Sequence, residues 1–357
     1  MIVVNGRFMT QNLTGVQRYA RGITRMICAR SDVEVVVPRS AEILPEYSDI
    51  PLVRYGPFGG HTWEQLVLPS YVRRRRGILL NLGSTGPALL RRQVVTNHDI
   101  TYVRYPASFA RSFRILYRTL TPVLLRSAKA IVTVSEFSKG EISNFFRVDA
   151  SKFFVVPNAV DSGFTPGASS QALGYLLAVS SPSAHKNFGR LLEAYSQLPF
   201  PKPRLVIAGS TAPALIRPDL VDSPGVSFVG RLTDDELVDM YRGATAFVFP
   251  SLYEGFGIPP LEAQSCGVPV IAPNIPSARE VLGESAVYAD PTSVGSLAAA
   301  IRTVIEMTPT ERHKMTALGL ANVQRFSWAG SANAIMDLVD GVFGDSAIHQ
   351  ASDRSVA

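Results

Sequence analysis

Two cysteines, Cys28 and Cys266, are all that 357 residues hold. That is too few for a disulfide framework or a cysteine-rich zinc site. No set of His, Cys, Asp and Glu elsewhere has metal-ligand spacing. No apolar run approaches the roughly 18–20 residues that cross a bilayer. The opening stretch MIVVNGRF lacks the basic, apolar, small-residue pattern of a signal peptide. No period of about 20–50 residues recurs, which excludes solenoids and propellers. Charged residues are only 18% of the chain and hydrophobic ones 46%, a balance that closes packed cores and excludes wholesale disorder. The expectation is a soluble, cytosolic protein of about two domains.

Acid is scarce in one half. Residues 1–160 hold 19 Arg and 3 Lys against 10 acids, while the remainder holds 13 basic residues against 19 acids. A uniformly basic nucleic-acid binder would not divide in this way, and no aromatic reading motif accompanies the arginines, so nucleic acid is not an expected partner. Arg73, Arg74, Arg75 and Arg76 follow a helical Trp63/Leu66/Val67/Tyr71 pattern, and Arg91 and Arg92 come soon after. Over 108–127 a helix is expected with Phe109, Phe113, Leu116, Leu120 and Leu124 on one face and Arg111, Arg114 and Arg118 opposite, and Pro122 stands where it kinks or splits that helix. Two readings of these arginines stand side by side. One is a solvated outer face with helix-end charges. The other is docking on anionic lipid, at about 1 kcal/mol per basic residue near the surface.

Short apolar runs at 2–5, 33–37, 78–80, 94–96, 130–134 and 153–156 alternate with helical patterns, the first over 15–29. Runs apolar throughout suit strands covered on both faces, as in a parallel sheet. Residues 161–171, with Gly163, Pro166 and Gly167, read as a linker. The alternation then restarts, with strands at 175–179, 204–208, 226–229, 246–249, 268–272 and 286–288, helices at 188–198, 234–242, 259–266 and 277–282, and later helices to about 342. Asp234, Asp235 and Glu236 after Thr233 read as a capped first helical turn rather than a metal site. The expected fold class is α/β, with two doubly wound, Rossmann-like domains over 1–163 and 164–344. The last helices are free to pack back on the first domain, and a flexible tail follows over 345–357. Ligands of such sheets bind beyond the carboxyl ends of the strands.

The densest signal is the stretch FPSLYEGFGIPPLEAQSCGVPVIA over 249–272. A buried strand ends near Pro250, and a polar loop carries Glu254, Gly255 and Gly257. Pro259 and Pro260 fit a first helical turn, where a missing N–H costs little. Gly267 closes the helix and Val268 starts the next strand. A glycine-rich entry to a helix N-terminus suits phosphate. A carboxylate beside such a site is unfavourable unless it faces hydroxyls, and sugar and ribose hydroxyls are suitable partners for Glu254 and for Glu262 eight residues on.

Glu254 and Glu262 match the Glu-x7-Glu motif, and here the chain resembles the retaining glycosyltransferases of family 4 (group 1), in particular bacterial mannosyltransferases. Further segments are similar to that family: Val156-Pro-Asn-Ala-Val-Asp, Lys186-Asn187, Val229-Gly-Arg-Leu, Ser277-Ala-Arg-Glu-Val, Ala289-Asp-Pro, Ser135-Glu136-Phe137-Ser138 and the turn Thr14-Gly15-Val16-Gln17-Arg18-Tyr19. The resemblance implies the GT-B fold, an N-terminal acceptor-binding and a C-terminal nucleotide-sugar-binding domain facing each other across a cleft. It also implies roles. Glu254 would contact donor-sugar hydroxyls and Glu262 the ribose. Gly255, Phe256, Gly257 and Ile258 would meet the sugar and diphosphate, with Lys186 neutralising the leaving group. Val229 and Gly230 would line the base, and Ser181 would belong to the donor site. In the first domain, Gly15 would approach the phosphate or acceptor, and His98 would sit under the donor sugar near the reacting carbon. Family members often carry an Arg shortly before the Lys. Here Ser180 and Ser181 stand there, which leaves Arg18 or His185 as substitutes for the second positive charge.

The implied reaction breaks an anomeric C–O bond, so the site needs donors aimed at the departing phosphate and exclusion of water. No metal and no cofactor is expected beyond the nucleotide-sugar donor. That donor is GDP-mannose by preference, with rhamnose, fucose or glucose donors as alternatives. The expected acceptor is a lipid-linked or polysaccharide glycan, and a basic first domain fits an acceptor at the inner face of an anionic membrane. A non-transferring epimerase or nucleotide-sugar binder of the same fold is the reading from another class.

Overall fold

The computed structural model describes residues 1–170, 174–179, 183–209 and 224–344. The expected flexible tail and Ser180 and Ser181 lie outside the described residues. The chain divides into two compact units. The N-terminal unit takes Met1–Ile100, Arg111–Ala159 and the described residues from Ser327 onward; the C-terminal unit takes Thr101–Ala110 and Val160–Phe326.

In the N-terminal unit, β1 (Ile2–Asn5), β2 (Val33–Pro38), β3 (Leu52–Tyr55), β4 (Ile78–Asn81), β5 (Gln93–Thr96), β6 (Ala130–Thr133) and β7 (Phe153–Val155) pair in the order β3-β2-β1-β4-β5-β6-β7. Every neighbouring pair is parallel. Strands β1, β4, β5 and β6 are buried at every position, which is why their residues read as short apolar runs broken only at the ends by a buried Asn, Gln or Thr. Strand β3 has no fully buried residue. As an edge strand between Pro51 and Gly56 it carries no such run, and the sequence did not announce it.

The helices of this unit are α1 (Gly15–Ile27), α2 (Gly60–Thr62) and α3 (Leu68–Arg74). After α4 (Thr101–Arg104), which belongs to the other unit, come α5 (Arg111–Ser127) and α6 (Glu136–Phe146). Between α2 and α3 the chain makes a π turn over Trp63–Val67, in which the N–H of Leu68 reaches the carbonyl of Trp63. Pro69 has no N–H for the carbonyl of Gln65, so the ordinary ladder cannot continue there. The widened turn changes the helical phase. Trp63 is fully buried, but Leu66, expected on the same stripe, is 69% exposed. Helix α5 also departs from expectation. Only Thr121, Leu124 and Leu125 are buried, Leu116 is exposed, and Phe109 precedes the helix.

In the C-terminal unit, β8 (Tyr175–Val179), β9 (Arg204–Ala208), β10 (Val226–Gly230), β11 (Ala244–Val248), β12 (Val270–Pro273) and β13 (Val287–Ala289) pair in parallel in the order β10-β9-β8-β11-β12-β13. Helix α7 (Phe188–Ser196) follows β8, α8 (Asp234–Gly243) follows β10, and α9 (Ile258–Ser265) follows β11. Then come α10 (Pro276–Leu282), α11 (Val294–Ile305) and α12 (Pro309–Val323). The Thr233 and Glu236 side chains cap α8 reciprocally. At the end of α9, Gly267 has φ 81°. Its N–H reaches the carbonyl of Gln264 at 3.0 Å, and that of Val268 reaches Ala263 at 3.0 Å. This pair of bonds stops the helix and sends the chain into β12. One face of this sheet packs Leu176, Leu205, Ile207 and Val248 against Leu191 and Leu192 of α7 and Ile301 of α11. No described helix is long and apolar enough to cross a membrane.

The chain then returns to the N-terminal unit as α13 (Trp328–Phe343). Helices α1 and α13 meet where Gly22 faces Trp328. A Cβ at position 22 would stand 2.4 Å from the indole Cδ2. Overpacking of this kind costs about 1–3 kcal/mol, more than the ~1 kcal/mol that alanine gains over glycine in a helix. Gly22→Ala therefore lowers stability in urea unfolding, whereas a helix limited by propensity would gain.

Candidate active site in the C-terminal unit

The second sheet grows in both directions from β8, to β9 on one side and β11 on the other. The loops leaving β8 and β11 therefore meet at a topological switch point, where α/β sheets hold ligands. Lys186 lies on the first loop and Glu254 on the second. The Lys186 Nζ donates to Glu254 Oε1 at 2.6 Å, with the side chains 17% and 13% exposed. The ammonium also stands 5.7 Å from the centre of the Phe249 ring.

Local backbone fixes this pair. Lys186 ends a short 3-10 turn, and Asn187 after it takes a left-handed conformation, φ 63°. The Asn187 amide donates to the carbonyls of Pro250 at 2.9 Å and Pro291 at 2.8 Å. The N–H of Leu252 reaches the His185 carbonyl at 2.7 Å. These bonds staple the lysine turn onto the glutamate loop. His185 is buried, and its Nδ1 stands 2.9 Å from the Ser108 hydroxyl, with Tyr105 and Phe109 rings alongside. The segment 101–110 thus belongs to the walls of this unit's site. No local signal announces it, because its partner lies 77 residues away.

Beyond Glu254, Gly255 and Phe256 are buried, and Phe256 packs edge-on against Phe326 at 5.5 Å. Gly257, φ 93°, then turns the chain into α9, with Phe249 3.2 Å from where its Cβ would be. Pro259 and Pro260 occupy the start of the helix. The side chains of Phe256 and Ile258 are thus committed to the core, and what this turn offers a ligand is backbone. Glu262, 4% exposed, lies inside α9, and its Oε2 accepts from the Tyr241 hydroxyl of α8 at 3.0 Å. Tyr241 was not foreseen, since a buried helical tyrosine has no sequence mark. Val229 and Gly230 end β10, the far edge strand, with Val229 41% exposed. Among the described residues no group of three His, Cys, Asp or Glu is placed to hold a metal.

Of the expected residues in the N-terminal unit, Gly15 is exposed and opens α1. His98 follows β5, is 7% exposed, and has its Nε2 3.1 Å from the Leu82 carbonyl. A carbonyl can only accept, so Nε2 carries the hydrogen. The Tyr19 ring stands edge-on to the imidazole at 5.0 Å. Burial lowers the pKa of His98 to about 4, and the Leu82 bond offsets this only in part. Unfolding returns the imidazole to an ordinary value near 6.5. The unfolded chain therefore binds one more proton between pH 6.5 and 4, and the fold loses up to about 3 kcal/mol as the pH falls through that window. Urea unfolding of His98→Gln beside the wild type checks this. The variant loses less stability across the window, and parallel curves would contradict the assignment.

Two family descriptions match the chain. "Glycosyltransferase Family 4" covers residues 13–164 and "Glycosyl transferases group 1" covers residues 169–319. The O-antigen chain mannosyltransferase B of Escherichia coli is 34% identical over 262 residues, 68% of this chain and 68% of that protein. The O-antigen chain mannosyltransferase RfbU of Salmonella typhimurium is 33% identical over 224 residues, 61% of this chain and 62% of that protein. Among solved structures, the sucrose-phosphate synthase of Thermosynechococcus elongatus superposes with a TM-score of 0.74 at 18% identity, covering 96% of this chain and 99% of that one.

Proposed function

The chain belongs to glycosyltransferase family 4, and from that premise we propose that it transfers mannose from GDP-mannose, with retention, to a sugar of a lipid-carried glycan during assembly of a surface polysaccharide. The Lys186–Glu254 pair at the switch point between β8 and β11 carries this reading. Both relatives named above are O-antigen mannosyltransferases, which supports mannose as the sugar.

In the reaction the bond from the anomeric carbon to the diphosphate oxygen breaks, and a bond from that carbon to an acceptor hydroxyl oxygen forms on the same face. The hydroxyl proton passes to the departing phosphate. Lys186 and the backbone N–H groups of 255–258 face the growing negative charge. The prolines at 259 and 260 supply no N–H there. Glu254 accepts from the sugar's hydroxyls, which positions the ring and leaves it beside an anion as positive charge develops. Glu262 accepts from the ribose, Val229 and Gly230 line the base, and Ser181 belongs to the donor site. His98 keeps the place near the reacting carbon, and Gly15 the approach to the phosphate or the acceptor, that the family resemblance implies. A lysine and oriented amides meet the diphosphate charge, so the proposal needs no metal and no cofactor.

Lys186→Ala and Glu254→Gln each lower kcat by about 10²–10³ with GDP-mannose, without lowering the melting temperature by more than a few degrees. Excess EDTA leaves the wild-type rate unchanged. Near-normal turnover in either variant contradicts the reading.

The proposal includes contact with an anionic lipid surface on the cytoplasmic side. The exposed arc of α5 carries Ile115, Leu116 and Val123, exposed by 56%, 37% and 42%, together with Arg111 and Arg118. No Asp or Glu occurs from 100 to 135. Apolar tips among arginines suit the interface of such a membrane. The protein should co-sediment with phosphatidylglycerol vesicles at low salt, and Ile115→Glu with Arg118→Glu should abolish this. Equal binding to purely zwitterionic vesicles speaks against it.

A further inference from the structure

The connection from β5 to α5 leaves the unit that owns both of its ends. Residues 101–110 pack into the C-terminal unit, although Ile100 before them and Arg111 after them belong to the N-terminal one. Local hydrogen bonds stiffen this segment. The N–H of Tyr105 reaches the carbonyl of Thr101 at 2.7 Å and closes α4. Pro106 then opens a 3-10 turn over Pro106–Ser108, in which the N–H of Ser108 reaches the Tyr105 carbonyl at 3.0 Å. A proline fixes its own φ and restricts the residue before it. Tyr105 thus stands at the junction of two hydrogen-bonded turns, and the backbone sets the direction of its side chain.

The Tyr105 ring lies against the neighbours of both charged groups of the site. Its centre is 6.1 Å from that of His185 and 6.0 Å from that of Tyr253, distances at which aromatic rings pair. His185 directly precedes Lys186, Tyr253 directly precedes Glu254, and both are buried. Three residues beyond Tyr105, the Ser108 hydroxyl meets His185 Nδ1 at 2.9 Å. Contact with one loop alone would be ordinary packing, whereas contact with both links them.

The two loops are also tied by the Lys186–Glu254 bond at 2.6 Å and by the bond from the N–H of Leu252 to the His185 carbonyl at 2.7 Å. A donor that engages the ammonium and the carboxylate removes the first of these ties. The Leu252 bond and the Asn187 amide remain, and they hold the loop backbones. Tyr105 adds the tie between the side chains of 185 and 253. A misplacement of about 1 Å at a reacting centre costs as much as about 10²-fold in rate, so this tie matters most once the donor is bound.

We infer that Tyr105 and Ser108 are positioning residues for the transfer. Tyr105 sets the spacing of Lys186 and Glu254 by wedging between His185 and Tyr253, and Ser108 holds the His185 ring in place. Their role rests on the reading of the protein as a mannosyltransferase that grips its donor through that pair.

The test is a double-variant cycle between positions 105 and 186, read both as kcat with GDP-mannose and as calorimetric affinity for GDP. Tyr105→Ala should lower kcat and GDP affinity by about tenfold each. Tyr105→Phe, which keeps the ring, should restore both to within about twofold. Ser108→Ala should lower kcat several-fold, and Ser108→Thr, which keeps the hydroxyl, should recover it. In Lys186→Ala protein the further change Tyr105→Ala should cost less than about twofold, because no ammonium is left to place, whereas a merely structural defect costs the same in both backgrounds. Equal costs in the two backgrounds overturn the inference, as does a Tyr105→Ala enzyme with wild-type kcat and GDP affinity. Should Tyr105→Ala melt below the assay temperature, Ser108→Ala takes its place in the cycle under the same criteria. Failure of the mannosyltransferase reading appears separately, as a wild type that binds GDP but transfers nothing from GDP-mannose, and GDP affinity then decides the cycle.

Discussion

A parallel sheet that extends both ways from its first strand leaves a gap at its carboxyl edge, where neighbouring loops depart to opposite faces. This chain meets that constraint twice, between β1 and β4 and between β8 and β11. In both places a carboxylate stands against a basic side chain, Glu64 against Arg7 and Glu254 against Lys186. Backbone geometry decides where these charges sit. Asn187 in its left-handed conformation and Gly257 at positive φ aim one pair, and the π turn before Pro69 aims the other.

The pairs differ in what water can reach. Arg7 and Glu64 are 10% and 1% exposed, and their partners satisfy the carboxylate from several sides. Removing one member would strand a buried charge, so that pair is a fixed support. Lys186 and Glu254 are somewhat more open and can exchange partners. A diphosphate offers the ammonium more negative charge than one carboxylate does, and sugar hydroxyls offer the carboxylate donors in return. Both side chains keep charge-assisted bonds as the ligand enters. The Lys186–Glu254 pair thus suits the proposed donor, which brings both negative charge and hydroxyls.

Strands buried on both faces were legible in the sequence because burial makes their central residues apolar, and the 249–272 stretch read correctly as a strand end, a loop and a helix entered through Gly257. Strand β3 was not legible, because an edge strand with partial burial has no such pattern. Leu66 was misplaced, because a π turn breaks the 3.6-residue phase that periodicity assumes. The ion pair of Lys186 with Glu254 joins residues 68 apart, and the roles of Ser108 toward His185 and Tyr241 toward Glu262 depend likewise on tertiary contacts. Glu64 carries no motif at all. It became visible only when the sheet order brought Asn5, Arg7 and Thr85 around the same carboxylate.

The most direct test of the account is a crystal structure of the protein with GDP-mannose bound. The account predicts diphosphate oxygens within about 3.2 Å of Lys186 Nζ, sugar hydroxyls on Glu254 and the ribose on Glu262. A nucleotide bound elsewhere, with the Lys186–Glu254 bond undisturbed and no ligand at the entry to α9, would contradict it.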